Sequence, residues 1–253
     1  MGSRSRRLLA ASACAALFNT VTATTIDATT LAIIRTGNEI ILAADSLMTL
    51  YGRRPQLTCK IRRHGDVVFA TAGLVVTRDG SLEFHDVITT ILRRQLPWGQ
   101  QADQVEEWLR EPLLRALRRM ERELPKEFEA QLRRSFVLHL SLAGVTDGTA
   151  TLEMREFFVD RDTDGAPRLR VKRLSCPGSC PDATEVFGIG ETDEMMRLVS
   201  ELPGLPLDVA GLAYQLVAKE IETHPEHVGP PVDVVRLSPG GIDWVRLKPA
   251  CQT

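Results

Sequence analysis

The chain has 253 residues, of which 43% are hydrophobic and 25% charged, a composition typical of a globular protein with a full-sized core. Its formal net charge is −2, and its arginines alternate with acids instead of forming a basic block. We therefore expect no nucleic-acid partner, because binding to phosphates needs a concentrated basic face.

The N-terminus has the pattern of a secretory signal peptide. Three arginines within residues 4–7 precede an uncharged apolar run at 8–18, and small residues follow at 21–23. The run is shorter than the ~20 residues that span a bilayer. We expect residues 1–23 to be removed, with a second cleavage site after Ala28, and the protein to be exported to the periplasm or the outside without further membrane contact. A buried N-terminal helix and a lipid anchor at Cys14 are the alternatives.

The rest of the chain predicts strands and helices in segregated blocks. Strand patterns occupy 29–34, 40–44, 60–63, 67–72, 136–144, 150–159, 169–174, 184–189, 232–237 and 242–247, and helix patterns occupy 82–92, 108–124, 191–202 and 207–221. This order favours an α+β fold, and a four-layer αββα sandwich would bury every apolar face between two antiparallel sheets and two helix pairs. Without a repeat or linker, residues 29–250 are expected to form one domain.

The first hairpin gathers reactive side chains. Thr29 and Asp45 both lie eight residues from Gly37, so a turn centred on that glycine would place them side by side. Lys60 opens the next strand, and Gly73 follows the strand after it. The sequence therefore predicts that a hydroxyl, a carboxylate, an ammonium and a backbone N–H meet at one end of the hairpin.

These residues lie in four short motifs, which are Thr29-Thr30-Leu31-Ala32, Ala43-Ala44-Asp45-Ser46, Lys60-Ile61 and Ala72-Gly73. Together they resemble the N-terminal-nucleophile (Ntn) hydrolases of the proteasome β type, and the spacing is most similar to that of the bacterial ATP-dependent two-component protease. The resemblance implies that Thr29 is the nucleophile and that Thr49 binds the substrate backbone. It also implies that no metal or organic cofactor is required. Subunits of this kind form rings, so the resemblance also allows a homo-oligomer of this chain.

The expected chemistry follows from a threonine at the start of the mature chain. Its free α-amine, a group whose ordinary pKa is ~7.7–8.0, could accept the hydroxyl proton at neutral pH. Lys60 would lower the proton affinity of that amine, Asp45 would hold Lys60 in place, and the Gly73 N–H would stabilise the oxyanion. The sequence thus predicts an exported threonine-type hydrolase that cleaves peptide or amide bonds through an acyl-enzyme.

Two other functions remain open. A catalytically inactive protein with a structural or binding role is favoured by the residues that precede Thr29, and by Gly190-Glu191-Thr192 where the family carries Gly-Ser-Gly. An amidase acting on a small non-peptide substrate is the third interpretation, since one fold hosts several chemistries. Asp233 is the nearest candidate for the late Asp-x-x-Ser of the family.

The histidines and cysteines add two further expectations. His224-Pro225-Glu226-His227 contains metal-ligating residue types, but its place in a Pro/Gly loop favours an ordinary loop without metal. After the signal segment four cysteines remain, an even number that permits disulfides in an exported protein. We expect Cys176 to pair with Cys180, or Cys59 with Cys251.

Overall fold

The computed structural model describes residues 29–48, 56–75, 83–134, 136–180 and 184–251. The predicted signal peptide at 1–23, the alternative anchor Cys14 and the predicted substrate-binding residue Thr49 lie outside these ranges. The described residues form an α+β fold with three antiparallel sheets and five α-helices. None of the helices in these ranges is long and apolar enough to cross a membrane.

The elements follow one another in the blocks that the sequence predicts. The strands are β1 (Thr30–Arg35), β2 (Ile40–Ala44), β3 (Leu47–Met48), β4 (Gln56–Leu57), β5 (Ile61–His64), β6 (Val67–Gly73), β7 (Leu138–Thr146), β8 (Thr149–Arg161), β9 (Pro167–Cys176), β10 (Glu185–Gly190), β11 (Asp233–Ser238) and β12 (Gly241–Arg246). The helices are α1 (Phe84–Leu92), α2 (Trp98–Glu123), α3 (Pro125–Leu132), α4 (Asp193–Glu201) and α5 (Val209–Thr223).

Two five-stranded sheets carry most of the chain. The first has the order β10-β1-β2-β11-β12, and the second has the order β5-β6-β7-β8-β9. The short strands β3 and β4 pair with each other, and this pair, like α3, is absent from the sequence prediction. Strands β1 and β2 lie inside the first sheet, and every residue of both strands is buried.

Three hydrophobic clusters connect these elements. The first packs helices α1 to α3 on one face of the second sheet, for example Phe84 and Leu109 with Leu140. The second contains inward-facing side chains of both large sheets, and the third packs α5, through residues such as Leu216, on the first sheet. Alternate residues of each strand serve opposite faces, because successive side chains in a strand point to opposite sides.

Helix α2 differs from its prediction. It begins at Trp98 instead of at 108 and contains Pro112 in its interior. The buried apolar positions follow a spacing of three or four residues and are Ala102, Val105, Leu109, Leu113, Leu117 and Met120. Trp108, the first residue of the predicted helix pattern, is 47% exposed. The Arg94 guanidinium lies 4.7 Å from its ring centroid and covers it.

The register of the first hairpin corrects a second prediction. Leu31 pairs with Ala44, so Asp45 lies opposite Thr30 and not opposite Thr29. Asp45 and Thr30 exchange hydrogen bonds there, since the Asp45 N–H donates to the Thr30 carbonyl oxygen at 3.2 Å. The reason is the turn, which has Gly37 and Asn38 together at its tip. A two-residue tip, the commonest hairpin loop, shifts every pair by one position relative to a turn centred on one residue.

Candidate functional site

Asp45 is the centre of a hydrogen-bond cluster at the end of the first hairpin. Its Oδ1 accepts from the Thr30 N–H at 2.9 Å and from Lys60 Nζ at 2.6 Å. Its Oδ2 accepts from the N–H groups of Leu47 at 2.9 Å and Gly229 at 3.1 Å. The carboxylate is fully buried, and these four donors replace the water that it loses.

Lys60 reaches this cluster from the position just before β5. Its side chain is 6% exposed, so the ion pair with Asp45 lies in a medium that screens charge poorly. The preceding Cys59 is disulfide-bonded to Cys251, which ties the C-terminal segment to the chain next to Lys60. The predicted proximity of Asp45 and Lys60 is therefore present in the structure.

Thr29 lies just before β1 and is buried. Its carbonyl oxygen accepts from the Glu191 N–H at 2.9 Å, and the Thr30 hydroxyl donates to the Glu191 carbonyl at 2.7 Å. Gly190 has a φ of +90°, and a Cβ at that position would stand 1.6 Å from the Thr29 carbonyl oxygen. A glycine is required here because both the backbone conformation and the close approach exclude a side chain.

Gly73 ends β6 and pairs with Leu138 of β7. Its φ is +91°, and a Cβ would lie 2.5 Å from the Val137 carbonyl oxygen, so this position also requires glycine. The assignment of its N–H to an oxyanion stays a prediction, as does the assignment of Thr49 to substrate binding.

A second buried ion pair adjoins the first and is missed by the sequence analysis. Lys248 Nζ contacts the Asp233 carboxylate and donates to Ser46 Oγ at 2.6 Å. The Lys248 N–H also donates to Asp233 Oδ1 at 2.8 Å. Ser46 follows Asp45 directly, and its own N–H donates to the Gly229 carbonyl at 2.8 Å. Asp233, predicted as the late acid of the family motif, is thus the partner of Lys248.

Two histidines away from this cluster are neutral because they are buried. Burial, together with the positive charge of Arg62, lowers the pKa of His85 to about 4. Burial, together with the charge of Lys172, lowers the pKa of His139 to about 3. Each ring is within hydrogen-bond distance of a hydroxyl, at 2.7 Å from Thr71 Oγ1 and 2.6 Å from Ser141 Oγ respectively.

Comparison with solved structures places this geometry in a known class of fold. The chain is similar to Anbu from Hyphomicrobium sp. strain MC1, with a TM-score of 0.50 and 15% identity over 87% of this chain and 86% of that chain. It is also similar to a Gly-1 mutant of the same protein, with a TM-score of 0.52 and 16% identity over the same shares. Anbu is a proteasome-like protein of the N-terminal-nucleophile type, and at this low identity the likeness shows a proteasome-like fold. No protein-family model and no curated protein matches the chain.

These findings correct the family assignment. The expectation that the chain belongs with proteasome β-type subunits and the bacterial two-component protease is wrong, since the chain is similar to the solved structures of Anbu. The spacing from Thr29 to Asp45 is set by the length of one hairpin. Proteins that share the hairpin share the spacing, so this spacing alone does not separate one family of the fold from another.

Proposed function

We propose that this chain is an exported threonine-type hydrolase that cleaves peptide or amide bonds through an acyl-enzyme on Thr29. The observation that carries the proposal is the shared oxygen Oδ1 of Asp45, which accepts from both the Thr30 N–H and the Lys60 ammonium. A buried positive charge thus lies beside the peptide that joins Thr29 to Thr30. Cleavage before Thr29 would create an α-amine next to that charge.

The proposed reaction uses that amine as the base. The Thr29 hydroxyl attacks the substrate carbonyl carbon while its proton passes to the α-amine, whose proton affinity Lys60 lowers. The Gly73 N–H stabilises the oxyanion, an interaction worth ~2.7–4 kcal/mol in known sites. The intermediate then expels the substrate amine, which takes the proton, and leaves an ester on Thr29. Water hydrolyses this ester, releases the carboxylic acid and restores the hydroxyl.

The proposal includes a four-layer αββα arrangement with one domain over residues 29–250. Its support is the order of the three hydrophobic clusters, in which helices α1 to α3 contact the second sheet, the two large sheets contact each other, and α5 contacts the first sheet. In this arrangement the Asp45 cluster lies at one end of the central strands β1 and β2.

Export is proposed on two grounds. Residues 1–23 have the pattern of a signal peptide. In addition, the structure pairs Cys59 with Cys251 and Cys176 with Cys180, so both predicted disulfides are formed. Disulfides persist mainly in oxidising compartments such as the periplasm or the cell exterior.

The experiment that tests the proposal determines the mature N-terminus and traps the nucleophile. The protein is purified from the exported fraction, its first residues are sequenced, and it is treated with a peptide epoxyketone, which captures a hydroxyl and an adjacent amine together. We expect a chain that begins at Thr29 and an adduct on that residue. Thr29→Ala should abolish the adduct, whereas Thr36→Ala, in the turn of the same hairpin, should leave it intact.

The result that would overturn the proposal is a mature chain that begins at Thr24 and forms no adduct. Thr29 would then be an internal residue without an amine, and a structural or binding role would be the better account. Gly190-Glu191-Thr192, in the place of the Gly-Ser-Gly of the family, favours that alternative. An adduct without cleavage of any peptide would instead favour a small amide as the substrate.

A further inference from the structure

The turn after α5 brings metal-ligating side chains together. His224 caps this helix, and its carbonyl oxygen accepts from the N–H groups of His227 at 2.9 Å and Val228 at 3.1 Å. The tight turn places the two imidazole rings nearly parallel, with an angle of 10° and centroids 6.4 Å apart. One ligand atom from each of His224, Glu226 and His227 lies within 4.8 Å of the others.

A fully buried carboxylate provides the second observation. Glu220 Oε1 accepts from the Met195 N–H at 2.6 Å, but Oε2 has no hydrogen-bond partner among the described residues. This oxygen lies 3.8 Å from His224 Nε2. A buried carboxylate oxygen without a donor is costly, and it therefore indicates a positive charge held close by.

The ring of His227 has a similar environment. Its Nδ1 is buried and has no hydrogen-bond partner in the described part of the chain. It lies 3.6 Å from Glu191 Oε1 and 4.0 Å from Glu226 Oε1. Each imidazole thus has a carboxylate close to one ring nitrogen, which is the arrangement that orients histidine ligands in metal sites.

We propose that His224, Glu226 and His227 bind a divalent transition-metal ion, for which Zn²⁺ is the best match. Imidazole nitrogen and carboxylate oxygen are ligands that Zn²⁺ accepts, whereas Mg²⁺ and Ca²⁺ prefer oxygen alone. Glu220 is the carboxylate that orients His224. Glu191 is the carboxylate that orients His227, and water is the source of a fourth ligand.

The position of the site connects it to the Asp45 cluster. Glu191 donates its N–H to the Thr29 carbonyl, and Gly229, two residues after His227, donates its N–H to Asp45 Oδ2. An ion bound here would therefore link the two segments that hold Thr29 and Asp45. The proposal concerns metal binding and does not depend on whether Thr29 is a nucleophile.

The test is a titration of the full chain, expressed without a polyhistidine tag and freed of metal with a chelator. Calorimetry with ZnCl₂ should give one ion per chain, and CoCl₂ should give the visible absorption of a cobalt site with nitrogen and oxygen ligands. His224→Ala and His227→Ala should each weaken binding by at least tenfold. Glu220→Gln should weaken it by roughly ten- to a hundredfold, the effect typical of an orienting carboxylate.

Two matched variants separate this site from general surface binding. His64→Ala removes a histidine on β5, and Glu222→Gln removes an exposed carboxylate on α5. Both should bind ZnCl₂ with the affinity of the unaltered chain. Equal melting temperatures of His227→Ala and the unaltered chain, measured without metal, would exclude misfolding as the cause of lost binding. The proposal is overturned if the chain binds no ion stoichiometrically, or if binding survives in both histidine variants.

Discussion

Lys60 Nζ lies 2.6 Å from Asp45 Oδ1, in an ion pair whose side chains are 6% and 0% exposed. Asp45 also accepts three backbone N–H groups, from Thr30, Leu47 and Gly229, so its negative charge has donors besides the lysine. Lys60 is thus one of four donors to this carboxylate.

Removal of the acid should therefore cost more stability than removal of the base. Asp45→Asn leaves a buried ammonium beside a neutral amide, whose NH₂ group would also face backbone N–H donors. Loss of one partner of a buried pair typically costs ~3–5 kcal/mol. Lys60→Met leaves a carboxylate that three N–H groups still stabilise, so the loss should be smaller. Urea unfolding of both variants measures the difference.

The exposed pair of Lys219 and Glu222 provides the control for these variants. Its side chains are 42% and 68% exposed, so Glu222→Gln should change the free energy of unfolding by less than ~1 kcal/mol. Equal losses for Asp45→Asn and Lys60→Met would contradict the stabilising role of the three backbone N–H groups. Both should slow adduct formation at Thr29, if that residue is the nucleophile.

Gly190 offers a prediction with a closely matched control. Gly190→Ala would combine a positive φ with a Cβ only 1.6 Å from the Thr29 carbonyl oxygen, so Thr29 must move. Gly165 has a similar φ of +81°, but a Cβ there would meet nothing within 4 Å. Gly165→Ala should cost the conformational strain alone, ~1–2 kcal/mol. Gly190→Ala should cost clearly more in chemical denaturation. Similar losses for the two variants would show that the close approach to Thr29 adds nothing to the loss in free energy of unfolding.

The sequence predicts local relationships better than distant ones. The proximity of Asp45 and Lys60 is predictable because short connections bring their strands together. The register of Thr30 against Asp45 is not, because a change of one residue at the tip of the turn shifts every pair. The contact of Lys248 with Ser46 joins residues 202 positions apart, and no local pattern indicates it. The N–H of Gly229, 184 positions from Asp45, is equally invisible to spacing.

The stability of the fold should fall as the pH is lowered from 6.5 towards 3. The unfolded chain has histidines with a pKa of ~6.5. In the folded protein burial lowers the pKa of His139 to about 3 and that of His85 to about 4. Below pH 6.5 the unfolded state therefore binds protons that the folded state excludes. The stabilisation from these two neutral histidines is fully present above pH 6.5. By pH 4.5, protonation of each histidine in the unfolded state should lower the free energy of unfolding by about 2–3 kcal/mol.

Variants isolate this effect from the titration of carboxylates. His139→Asn retains a side-chain amide that could bond to Ser141 Oγ, but it removes the titrating ring. The free energy of unfolding of this variant, measured by urea denaturation at pH 7.0 and 4.5, should change less with pH than that of the unaltered chain. His85→Asn should act in the same direction, and the double variant should add the two effects. An unchanged slope in both single variants would refute the role of buried neutral histidines.

The two disulfides should differ in their contribution to stability because they close loops of very different length. Cys59 and Cys251 are 192 positions apart, whereas Cys176 and Cys180 are only 4 apart. In the chain-entropy description, a cross-link stabilises a protein by restricting its unfolded state, and the gain grows with the logarithm of loop length. It amounts to about 5 kcal/mol for the long loop and about 2 kcal/mol for the short one. The double variant Cys59→Ser/Cys251→Ser should therefore unfold at a clearly lower urea concentration than Cys176→Ser/Cys180→Ser, with both measured without reductant.

The long-range link also fixes the C-terminal segment beside Lys60, so the first double variant should show faster amide hydrogen exchange at Lys60 and Lys248, while the second should not. If the short-loop variant were the less stable of the two, loop closure would not be the main source of disulfide stabilisation in this protein.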